Sequence, residues 1–75
     1  MELKEFLENN PILVKVELAS QMYPNLTRVI ARNKLHNKIA ELESGTGIQK
    51  ILPQDLEAAK KVLSKLRDNI DEFLK

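Results

Sequence analysis

The sequence predicts an all-α domain, and three observations carry that prediction. Apolar residues recur at spacings of three and four through most of the chain, as they do on one face of a helix. Only two glycines and three prolines punctuate the 75 residues, and all five fall between the periodic stretches. No segment reads clearly as a strand. The expected architecture is one domain over residues 1–75, with four helices, the last of them long.

Each element has its own signals. Leu3, Phe6 and Leu7 place a first short helix over residues 2–8, and Asn9-Asn10-Pro11 ends it. The β-branched run from Ile12 to Val16 could extend locally. Leu18, Ala19 and Met22 instead recur at helical spacing and place a second helix at about 15–22. Tyr23-Pro24-Asn25 is a turn, since proline fixes φ and asparagine tolerates the left-handed region. Thr27 is a good N-cap for a third helix running to about Leu42 or Glu43. Its core stripe is Ala31, Leu35, Ile39 and Leu42. Leu35 and Ile39 are expected to be buried against Leu18, Met22 and Leu63. Ser44-Gly45-Thr46-Gly47 opens a loop through about Lys50.

Pro53 suits the first turn of the fourth helix, and Asp55 and Glu57 favour the positive end of its dipole. No breaker follows, so the helix reaches roughly 33 Å at 1.5 Å per residue. Leu52, Leu56, Ala59, Leu63, Leu66, Ile70 and Phe73 are spaced alternately by four and three. That is the seam of a coiled-coil heptad.

Composition excludes several classes. With no cysteine, neither a disulfide nor a thiolate metal site is available. The start, Met1-Glu2-Leu3-Lys4-Glu5, is acidic and has no apolar core of signal-peptide length. No stretch approaches the roughly 20 apolar residues of a membrane span. A cytoplasmic protein without a membrane partner is expected. The Asn25-Leu26-Thr27 sequon, with no secretion signal before it, is read as chance.

The net charge of +1 hides an uneven distribution. Residues 25–51 hold five bases and two acids, whereas residues 1–24 hold two bases and four acids. From Asn25 to Ala40 there is no acid at all. This segment carries Arg28, Arg32, Lys34 and Lys38, interleaved with His36, Asn33 and Asn37. On the third helix, the face opposite the core stripe is expected to hold Ile30, Asn33, Lys34, Asn37 and Glu41, with Arg32 and His36 on a flank. Arginine can fork onto guanine, asparagine onto adenine, and lysine can neutralise a phosphate. Charged helix faces are also common as plain solvated surface, but those usually interleave both signs. Double-stranded DNA is therefore the expected partner. The candidate contacts are Arg28, Arg32, Asn33, Lys34, Asn37 and Lys38.

Nothing points to an enzyme, a cofactor or a small-molecule substrate. His36 has no second histidine and no carboxylate at i±3 or i±4, so it reads as a surface residue or groove contact rather than a metal ligand. Gly45-Thr46-Gly47 follows a helix, not the strand a phosphate loop needs. The acids near Lys61, Asp55 and Glu57, read as solvated ion pairs. Tyr23 reads as packing at the turn.

Two stretches carry a family resemblance: Leu18-Ala19-Ser20-Gln21-Met22-Tyr23-Pro24-Asn25, and Ala31-Arg32-Asn33-Lys34-Leu35-His36-Asn37. With Phe6-Leu7-Glu8-Asn9-Asn10-Pro11 before them, they resemble small phage-type helix-turn-helix regulators of the Cro and repressor kind, over about residues 5–42. The resemblance implies a helix-turn-helix core, a small transcriptional regulator of phage or mobile-element origin, and a third helix at about 27–43 in the major groove. Two departures stand out: Tyr23 replaces the usual turn glycine, and the turn is about two residues longer.

The seam carries a further expectation. It outruns a core of this size, leaving Leu66, Ile70 and Phe73 to project with Leu74 alongside. The simplest cover is a second copy, giving a homodimer. The alternative cover is the first helix, through Leu3, Phe6 and Leu7. A rival function comes from the same seam: a helical adaptor or protein-interaction module acting through its C-terminal helix.

Overall fold

A computed structural model describes residues 1–41, 43–44 and 47–75, with backbone alone for Glu43 and Ser44. Among these residues the chain is mostly helical. Four helices run in order: α1 (Leu3–Asn9), α2 (Lys15–Met22), α3 (Arg28–Ile39) and α4 (Pro53–Leu74). A two-stranded antiparallel hairpin, β1 (Glu43–Ser44) and β2 (Gly47–Ile48), links α3 to α4. Its register pairs Glu43 with Ile48 and Ser44 with Gly47.

Local chemistry sets the helix limits. The Asn10 side-chain amide donates to the Phe6 carbonyl at 2.8 Å, satisfying an acceptor at the end of α1 just before Pro11. α2 closes when the Tyr23 N–H donates to the Ala19 carbonyl at 2.9 Å. The turn comes at once, with the Leu26 N–H donating to the Tyr23 carbonyl across Pro24 and Asn25. Thr27 caps α3, its hydroxyl accepting from the Ile30 N–H. α4 opens on Pro53, as expected for a residue whose missing N–H would have no helical partner. Leu52 before it has no side-chain oxygen, so only the return half of a capping box forms. There the Asp55 carboxylate accepts from the Leu52 N–H at 2.9 Å.

Two expectations need correction. α3 ends at Ile39 rather than at Leu42 or Glu43. Glu41 takes a left-handed conformation, with φ at 54°, and turns the chain away from the helix axis. That is a usual way to end a helix, but glycine is its usual residue, so a glutamate there carries no stop signal. The expected loop also contains the hairpin, a second departure. The places of Leu42, Gly45 and Thr46 in the stripe and loop lie outside the described residues.

The core lies where α2 crosses α3 and the first half of α4. Leu18, Ala19 and Met22 from α2, Ala31 and Leu35 from α3, Ala59 from α4, and Leu3 and Leu7 from α1 are all buried. Ala19 and Ala31 are fully enclosed, and their small side chains let the helices come close. Leu35 is the largest fully buried side chain among the described residues. Ile39 and Leu63, also expected in the core, pack against it while partly exposed. No described helix is long and apolar enough to cross a membrane.

Candidate nucleic-acid interface

α3 begins with three ready-made elements. Its Thr27 cap occupies one of the first N–H groups, and no acid lies in its first turn. Arg28 stands at its first position. The rotation of the helix is then set by Ala31 and Leu35, which point into the core. Val29, Arg32, Asn33 and His36 are consequently exposed. Their spacing of three, one and three residues places them on one continuous face. Ile30 borders it, also exposed, and Asn37 borders it half-buried.

This is not quite the face expected. His36 is central rather than flanking and Val29 joins it, while Arg32 and Asn33 form the two edges of the face. Lys34 is half-buried: its ammonium sits over the Tyr23 ring, 4.4 Å from the centroid. The charge stays near the surface, but the stem is held against the turn by a cation–π contact. Lys38 is the clear correction among the expected contacts. Its side chain is 12% exposed, and its ammonium meets the Asp55 carboxylate at 2.7 Å. A lysine so engaged cannot reach a phosphate without leaving Asp55 buried and unpaired.

The expectation of a solvated helix-surface acid at Asp55 is corrected too. Asp55 is 3% exposed. It receives three hydrogen bonds: from Lys38, from the Leu52 N–H, and from the Tyr23 hydroxyl at 2.7 Å. Burial opposes its ionisation, but these donors outweigh it and hold the carboxyl below its ordinary value. Burial and the same hydrogen bond push the Tyr23 hydroxyl strongly up. Tyr23 does pack at the turn, as expected, and its hydroxyl adds a tie to α4. The triad thus locks three places together: the turn before α3, the last turn of α3 and the first turn of α4. Its function here is positional, because it fixes which way α3 faces.

Arg28 behaves differently. It forms an ion pair with Glu17 of α2, and both side chains are more than half exposed. The hydrogen bond between them lowers the Glu17 carboxyl and raises the Arg28 guanidinium. Exposed pairs are individually weak, so a phosphate can take the place of Glu17. Among the described residues, Arg32 reaches only the neighbouring Asn33 side chain, at 3.4 Å. Neither Arg32 nor Lys34 pairs with a carboxylate among the described residues. The Glu43 side chain, a nearby acid, lies outside the described residues.

The observed face is legible in principle. Val29, Arg32, Asn33 and His36 follow the helical period as closely as the core stripe does. The inward turn of Lys34 and Lys38 has no such signal, because their partners, Tyr23 and Asp55, lie 11 and 17 residues away in sequence.

Compared with protein-family models, curated proteins and solved structures, the chain has no match in any of the three. The class that fold and site define is therefore a structural one: a small four-helix domain presenting an acid-free, arginine- and amide-bearing helix face.

Proposed function

We propose that the chain is a small sequence-specific DNA-binding protein, a transcriptional regulator of the phage or mobile-element kind acting in the cytoplasm. α2 and α3 serve as its helix-turn-helix unit, with α3 lying in the major groove. One observation carries the reading. The solvent face of α3 presents Arg32, Asn33 and His36 with Val29 among them and no acid of its own, and Arg28 stands at its leading end, paired with Glu17 of α2. Arg32 and Asn33 supply the forked donor and amide chemistry that reads guanine and adenine. Val29 offers an apolar contact of the kind a thymine methyl accepts. Arg28, Lys34 and the open N–H groups at the start of α3 supply phosphate contacts. Asn37 sits at the border of the face, and Lys38 is dropped from the set.

A duplex-binding titration across salt concentrations tests this. Each phosphate contact contributes about 0.9 to the log–log slope of affinity against salt. Replacing Arg28 and Lys34 with alanine is expected to flatten the slope by nearly two units. Arg32→Ala and Asn33→Ala are expected to blur sequence preference in a selection from random duplexes. A wild-type chain that binds no duplex at low salt overturns the reading.

The second reading, an interaction module acting through α4, is favoured by a separate observation. The outer half of α4 carries an apolar seam that is largely exposed at Ile70, Phe73 and Leu74.

A further inference from the structure

α1 does not cap the far end of α4. Leu3 and Phe6 share a surface groove with Leu56, Ala59 and Leu63, all in the inner half of the long helix. Beyond Leu63 the seam becomes increasingly exposed. Leu66 is 37% exposed, Ile70 46%, Leu74 72% and Phe73 86%. The whole molecule is correspondingly extended, measuring 50 × 27 × 20 Å. Its accessible surface is 5879 Å². A folded monomer of this mass is expected to expose roughly 4,700 Å². The excess is of the order that one partner buries in a standard interface, about 800 Å².

We infer that a second copy of the chain covers this seam, with the two α4 helices running antiparallel and crossing near Asp68. Charge supports the direction. On the helical wheel Arg67 and Asp71 flank the seam, whereas Lys61, Asp68, Glu72 and Lys75 lie away from it. In a parallel pair, like charge lies level with like. In an antiparallel pair centred on Asp68, Asp71 of each copy comes within one helical turn of Arg67 of the other.

The same register satisfies the apolar residues. Ile70 of one copy meets Leu66 of the other, and Phe73 meets Leu63. At Leu63 the chain already offers a receptacle. A groove of about 360 Å³ lies between α2 and α4, its apolar lining Leu13, Val14, Leu18, Val62, Leu63 and Leu66, with polar residues from both helices beside them. Phe73, the most exposed aromatic side chain among the described residues, fills the groove of the opposite copy, and the two-fold axis makes the exchange reciprocal. The pairing stands apart from the DNA reading, since it is measured with no DNA present.

Light scattering at micromolar concentration, joined to distance measurement, tests it. Because the chain has no cysteine, single spin labels go on Glu57→Cys or Lys75→Cys without interference. An antiparallel pair centred on Asp68 separates the two labels along the helix axis by about 33 Å at position 57 and about 21 Å at position 75. A parallel pair gives no axial separation at either. The wild type is expected to be a dimer, with the longer distance at position 57. Ile70→Glu, at an exposed position, is expected to be a helical monomer by circular dichroism and scattering. A monomeric wild type overturns the inference and hands the seam to some other partner. A dimeric Ile70→Glu, or equally short distances at both positions, also overturns it.

Discussion

The two halves of α4 share one seam and differ in almost everything else. In the inner half, Ala59 is enclosed, Leu56 and Leu63 pack on the core, and Asp55 is buried among three donors. In the outer half, from Ser64 to Leu74, every residue is exposed. The heptad pattern runs through both without a break. Periodicity therefore says which side of a helix wants burial, while the neighbours decide whether burial happens. The inner half lies against α1, α2 and α3, and the outer half runs on past them.

The comparison is tested most severely at Asp55. Asp55→Ala leaves the Lys38 ammonium largely buried without its counter-charge and is expected to cost about 3–5 kcal/mol. Adding Lys38→Met to that variant is expected to recover much of the loss, because no stranded charge then remains. Denaturant unfolding of the two variants measures both. The same carboxylate gives a pH signature. Its folded value lies below its unfolded one, so its contribution is full above the ordinary carboxylate range near 4. That contribution is lost as pH falls through the folded value. An Asp55→Asn variant whose stability falls as steeply in acid as the wild type's would assign the acid sensitivity elsewhere.

A somewhat smaller loss, about 2–5 kcal/mol, is expected for Leu35→Ala. Leu35 is 1% exposed, and its removal leaves a cavity between α2 and α3. An unchanged melting temperature would mean that α3 does not turn Leu35 into the core. The smallest effect belongs to the outer half. On the monomeric Ile70→Glu background, Phe73→Ala is expected to change stability by less than about 0.5 kcal/mol, as for a solvated surface site. A larger loss there would show that Phe73 already packs within its own chain, erasing the contrast between the halves.

The α3 face shows the same division between pattern and neighbours. Its acid-free composition is legible in the bare sequence, and so is Thr27 as its cap. Which of its bases remain available is not. A helical wheel gives the angles between residues but not the rotation of the whole helix against its surroundings. Taking Ala31, Leu35, Ile39 and Leu42 as an even stripe puts the rotation midway between them. The helix instead seats Ala31 and Leu35 deepest, which swings Lys34 and Lys38 towards Tyr23 and Asp55 and leaves Arg32 and His36 facing out.

Sequence alone determined the helical class, the start of three helices and the turn between α2 and α3. Those features are local: a proline ring, a capping hydroxyl and a 3.6-residue period act within a few residues of themselves. Only the tertiary structure decided where α3 stops, that Asp55 is a buried anchor and not a surface acid, and which cations stay free. Each of these depends on a left-handed residue with no local signal or on partners more than ten positions apart. Burial and pairing at that distance are set by how the helices meet, and that is where Lys38 left the candidate surface and Val29 joined it.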